Sequence, residues 1–76
     1  MDPNTFHKEL AGILGIDLAD LRPELALSDF TWDSMAIVST ILAIDEFFDL
    51  AVEAEAVGRC QTVAEIDALI DRLRGQ

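Results

Sequence analysis

The stretch FTWDSMAIVSTILAIDEFF, Phe30 to Phe48, decides how the chain is read. An aspartate and a serine stand directly ahead of a long, almost wholly apolar run. Asp and Ser before such a run mark the start of a helix. The helix is expected to begin near Asp33 or Ser34 and to end near Leu50. Met35, Val38, Ile41, Leu42, Asp45 and Phe48 fall on one side at helical spacing, and Ile37 and Ile44 widen the apolar surface beyond an ordinary stripe. Such a helix is central to a core or keeps apolar surface for something else. Met35 to Ile44, interrupted by Ser39 and Thr40, is too short to cross a bilayer.

Before this helix, Ile16 to Trp32 carries scattered leucines, a proline and no sustained period, which reads as a long connection. Leu18, Leu21, Leu25, Leu27 and Phe30 are candidates to pin it to a core, with a helical turn near Ser28. Upstream, DPNTFHKELAGILG reads as a first helix. Asp2 is placed to cap it, Pro3 suits its first position, and Gly15 suits its stop. Phe6, Leu10, Ile13 and Leu14 share its apolar face. Downstream, VEAEAVGR suits a short third helix. TVAE, with Thr62 and Glu65 three positions apart, is a capping box opening a fourth. Val63, Ile66, Leu69, Ile70 and Leu73 follow at helical spacing, and Arg72 and Arg74 stand at the end where cations are favoured. The expected fold is all-α: a four-helix bundle of three main helices and a short third, with a long loop between the first two, forming one domain over 1–76.

Composition narrows the function. A chain of 76 residues suits one small domain with a modest core. Its single cysteine, Cys60, permits no internal disulfide and no multi-cysteine zinc site, which fits a reduced compartment. MDPNTFHKEL lacks the basic-then-apolar order of a signal peptide. A cytoplasmic, freestanding chain is the expectation. The net charge of −10 is concentrated: Pro23 to Gly58 holds no Lys or Arg and eight acids, Glu24, Asp29, Asp33, Asp45, Glu46, Asp49, Glu53 and Glu55. That field disfavours nucleic acid and anionic membrane and favours proteins with basic patches. The same acids also serve as a solvated face.

Catalytic constellations are sparse. His7 is the only histidine. A hydrolase using Ser34 and His7 would need the two within hydrogen-bond reach, and Ser34 lacks the glycine-flanked strand-to-helix turn of a nucleophile elbow. Cys60 reads as a partly buried thiol. Asp45, Glu46 and Asp49 form no calcium loop. Ser34 itself is open to two readings. A serine at a helix start is commonly a cap. A helix N-terminus also offers free N–H groups and a positive partial charge to an attached phosphate.

WDSMAIVSTILAIDEFFDLAV resembles the core of an acyl carrier protein, in which an Asp-Ser-Leu motif opens the second helix. Asp33, Ser34 and Met35 occupy those places. The order of helix, long loop, motif helix closing on DEFFDL, short acidic segment and capped QTVAEIDALI covers nearly the whole chain. The resemblance implies 4′-phosphopantetheine, taken from coenzyme A, joined to the Ser34 hydroxyl by a dedicated transferase that Asp33 helps engage. It implies no catalysis by the chain itself. Its implied partners are the phosphopantetheinyl transferase, an acyl- or aminoacyl-loading ligase or transferase, and synthase enzymes with basic docking patches. The chain is expected to act as a monomer without nucleic acid or stable membrane insertion. Met35, Ile37 and Ser39, with Asp45 and Glu46, are the expected partner-facing residues. Val38, Ile41, Leu42, Ile66 and Leu69 are candidates to line an acyl cavity or simply to pack the core. Three departures stand out. Met35 replaces the common leucine, Trp32 replaces a small residue and is expected to plug the loop against the core, the alternative being that it covers the base of the prosthetic arm, and Ala36 and Ser39 replace acids frequent in fatty-acid carriers. The last suggests a specialised lipid or secondary-metabolite pathway. An aminoacyl, D-alanyl or peptidyl carrier and an unmodified acidic adaptor are the alternatives.

Overall fold

The computed structural model describes residues 3–75. Its order is α1 (Pro3–Leu14), a long connection, α2 (Ser34–Phe48), α3 (Ala54–Gly58) and α4 (Val63–Arg74). This is the all-α four-helix arrangement expected, with no strand among the described residues. Asp2, the expected cap of α1, lies outside them.

Gly15 ends α1 as expected, and the reason is visible. Its φ is 78°, a left-handed conformation that glycine adopts without a Cβ penalty. The Ile16 N–H donates to the Ala11 carbonyl at 2.9 Å and the Gly15 N–H to the Gly12 carbonyl at 3.2 Å. That pair of bonds is a Schellman closure. Phe6, Leu10, Ala11 and Leu14 are buried, while Ile13 is half-buried.

The connection is packed by its own side chains and tied by its backbone. It contains two 3-10 turns, Leu18–Asp20 and Leu27–Asp29, the second at the expected place. Leu27 is buried, and Leu21, Leu25 and Phe30 pack against the core. Leu18 does not join them; it is exposed. An isolated antiparallel bridge pairs Ala26 with Thr62. Leu27 N–H donates to Gln61 O at 2.8 Å, Val63 N–H to Leu25 O at 3.2 Å, and Ala64 N–H to Pro23 O at 2.9 Å. The connection is thereby stitched to the entry of α4, so the segment leading to Ser34 has a defined path.

The inward face of α2 differs from the one its periodicity suggests. Ala36, Thr40, Ala43 and Ile44 are buried. Val38 is 51% and Leu42 62% exposed, and Met35 reaches 77%. Apolar residues occupy most of the circumference, so spacing does not choose a side. Interaxial distance depends on the side chains at the contact, and small residues allow neighbours close in. Here α2 packs against both α1 and α3. Thr40 is fully buried yet satisfied, its hydroxyl donating to the Ala36 carbonyl at 2.9 Å. The helix stops at Phe48, two residues before the expected end, because Asp49 turns left-handed with φ 56°.

Thr62 caps α4 as expected, and the return bond of the capping box goes one residue upstream of Thr62. Glu65 N–H donates to Thr62 Oγ1 at 3.3 Å, and the Glu65 carboxylate accepts from Gln61 N–H at 3.3 Å. Val63, Ile66, Leu69 and Ile70 are buried and Leu73 packs at the core edge. Phe6 of α1 meets Phe48 edge-on, with ring centroids 5.3 Å apart, and the Arg74 guanidinium lies 5.3 Å from the Phe48 centroid. These contacts fasten α1 and the last turn of α4 to the end of α2.

Candidate functional site

The N-terminus of α2 is built by Asp33. Its backbone is extended at φ −100° and ψ −175°, and its Oδ1 accepts from the Ala36 N–H at 3.0 Å. The Asp33 carbonyl receives the first intrahelical bond from Ile37 N–H at 3.0 Å. Asp33 is therefore the cap, and Ser34 is the first helical residue. This separates the two readings of Ser34: the capping oxygen belongs to its neighbour. Ser34 is exposed, as are Thr31, Asp33 and Met35 around it. The Ser34 and Met35 N–H groups precede any intrahelical carbonyl partner, leaving them to solvent or an attached group. A hydroxyl at this place, beside free N–H groups and the positive end of a 15-residue helix, is compatible with a phosphodiester.

The other expected residues divide. Met35, Ser39, Asp45 and Glu46 are exposed on α2. Ile37, placed with them in sequence, instead packs toward the core and α3; a Cβ at Gly58 would stand 3.5 Å from Ile37 Cδ1. The five cavity candidates are not gathered in one place. Ile66 and Leu69 are buried and Ile41 packs at the core edge, whereas Val38 and Leu42 face out with Met35. The sequence-based expectation is corrected there: Val38 and Leu42 form an exposed apolar stripe. Leu69 borders a recess of about 470 Å³ shared with Ala56, Arg59, Cys60 and Arg72.

His7 is engaged elsewhere. Its Nε2 lies 2.9 Å from both carboxylate oxygens of Asp67 on α4. This pairing joins residues 60 apart in sequence and had no local signal. Cys60 is buried, its thiol donating weakly to the Ala56 carbonyl at 3.5 Å. Burial first, and then the Glu65 carboxylate, push its pKa above the ordinary 9.0, with Arg72 opposing. That is an inert thiol. Trp32 is half-buried and packs against the core, as expected of a plug. Its indole Nε1 is buried without a hydrogen-bond partner. No group of three or more potential metal ligands is found among the described residues.

A family model described as phosphopantetheine attachment site matches residues 4–70. The matched domain is where 4′-phosphopantetheine is attached covalently. Proteins of this family are carriers that interact with phosphopantetheinyl transferases and synthase enzymes.

Proposed function

The chain belongs to the phosphopantetheine-attachment family, and from that premise we propose that it is an acyl carrier protein modified on Ser34. The observation that carries the reading is local. Asp33 holds the cap, so the Ser34 hydroxyl is exposed and free of a structural task. Once attached, the arm supplies a terminal thiol that holds the acyl group as a thioester.

The remaining work falls to this chain's own residues. Asp33 fixes the first turn of α2 and so the direction in which Ser34 presents its hydroxyl. Its charge also serves transferase engagement. Met35, Val38 and Leu42 form an apolar stripe beside Ser39, with Asp45 and Glu46 at the far end of the helix. That arrangement suits a partner with an apolar cleft and a basic rim. The acids raise encounter rate more than final affinity. The chain contributes no catalytic group; His7 is held by Asp67. It acts as a single domain and a monomer in the cytoplasm. It delivers acyl groups to enzymes of fatty-acid, polyketide or specialised lipid synthesis, and the neutral first half of α2 favours the specialised pathways.

The test is intact mass after incubation with coenzyme A, magnesium and a promiscuous phosphopantetheinyl transferase, with Ser34→Ala alongside. One added phosphopantetheine in the wild type and none in the variant is the expected result. A folded protein that gains nothing, even with its cognate transferase, would leave the acidic-adaptor reading in front. The mass of the native loaded form then distinguishes acyl from aminoacyl or peptidyl cargo.

A further inference from the structure

Trp32 forms part of the wall of a recess of about 730 Å³ between the connection and the junction of α3 with α4. Leu27, Ser28, Phe30, Gln61 and Thr62 are among its other walls. Not one residue lining it is charged, in a chain of net charge −10. Cys60, which also borders it, is kept neutral by burial. The Leu27 N–H bond to Gln61 O and the Ala26–Thr62 bridge tie its two sides together. The indole Nε1 is buried with no acceptor. A buried donor left unpaired is costly and rare, and calls for a partner.

We propose that this recess receives the prosthetic arm of the same chain, and that the Trp32 indole N–H donates to one of the arm's amide carbonyls. The inference rests on Ser34 as the attachment residue. Trp32 precedes it by two positions, so their Cα atoms are at most about 7 Å apart. Beyond the phosphodiester at Ser34 the arm is neutral and carries a pair of methyl groups, a hydroxyl and two amides. An uncharged recess with both apolar and hydroxyl- or amide-bearing walls matches that chemistry. Phe30 and Leu27 suit the methyls; Ser28, Gln61 and Thr62 suit the amides. The indole turns from its sealed position to donate, which relieves the unpaired N–H. The arm is thus parked when no partner holds it, and Trp32 is the positioning residue.

Trp32 is the only tryptophan in the chain, so its indole N–H gives a single assignable resonance. The experiment records it in ¹⁵N-labelled protein before and after conversion by coenzyme A and transferase, with conversion verified by intact mass. The expected result is a downfield shift of the indole proton and cross-relaxation from it to the arm's methyl protons. A second readout is Tm. Conversion is expected to raise it in the wild type, and less so in Trp32→Phe, which keeps a ring but lacks the N–H. A verified mass gain with an unmoved indole resonance, or a shift without cross-relaxation, would overturn the parking site while leaving the carrier reading intact. A shift that appears only after acylation assigns the recess to cargo and overturns it as well. Absence of any mass gain sinks both.

Discussion

At the residue scale, the cap of α2 belongs to the aspartate of the motif and not to the serine. A capping residue has extended backbone and lends its side chain to the third N–H of the helix. Asp33 does both. Asp33→Ala is therefore expected to lower stability by about 1 kcal/mol in urea unfolding, while Asp33→Asn keeps the cap. If the Asn variant is as stable as wild type but is phosphopantetheinylated more slowly, the carboxylate charge serves the transferase. Ser34→Ala removes an exposed hydroxyl outside the cap and is expected to shift stability by no more than about 0.5 kcal/mol. Cys60 yields a pH prediction. Burial raises its pKa in the folded chain above the ordinary 9.0. Above that pH the unfolded chain loses the thiol proton first, so it binds fewer protons than the folded one. The stabilisation tied to the neutral thiol is complete below pH 9.0 and is lost as pH rises toward the folded value. Urea midpoints measured from pH 8 upward are expected to fall less steeply in Cys60→Ala.

At the element scale, the helices obey their local signals where those signals are strong. Gly15 and Thr62 close and open α1 and α4 as their neighbours dictate. The end of α2 is less settled. Asp49 holds φ 56° and its carboxylate stands at the negative end of the helix dipole, beside Asp45 and Glu46. Asp tolerates the left-handed region better than most residues, but glycine does so without cost. Asp49→Gly is expected to stabilise the protein by about 1 kcal/mol, read as a higher Tm. A loss of stability would show that the Asp49 side chain has a structural role of its own.

At the scale of the whole molecule, α2 is the element shared by core and surface. Its interior side, Ile44 above all, is fixed by α1 and α3. Its outer side is left apolar at Met35, Val38 and Leu42. The two sides are expected to respond differently. Ile44→Ala creates a cavity at a fully buried site and should cost roughly 3 kcal/mol. Leu42→Gln and Val38→Gln should leave unfolding midpoints nearly unchanged and lower kcat/KM of a partner enzyme acting on the loaded carrier. If those two variants unfold as readily as Ile44→Ala, the stripe belongs to the core after all. The radius of gyration, 11.2 Å, is that of a close-packed chain of this length, so such a stripe is not a sign of loose packing.

The elements and the motif were legible in the sequence because their determinants lie within a few residues of one another. A cap reaches three positions, a Schellman closure five, and a helix propagates by bonds four residues long. The Asp33-Ser34 pair, the Gly15 stop, the Thr62 capping box and the short α3 all follow from such local physics. Three things required the folded chain. The inward side of α2 was chosen by which side chains let α1 and α3 approach, since an all-round apolar helix gives periodicity nothing to distinguish. The His7–Asp67 pair and the Ala26–Thr62 bridge join segments far apart in sequence. The uncharged recess beside Trp32 exists only because that bridge brings the connection against the start of α4. Short-range hydrogen bonding specified where the helices start and stop; long-range packing decided which of their side chains are buried and which stay exposed.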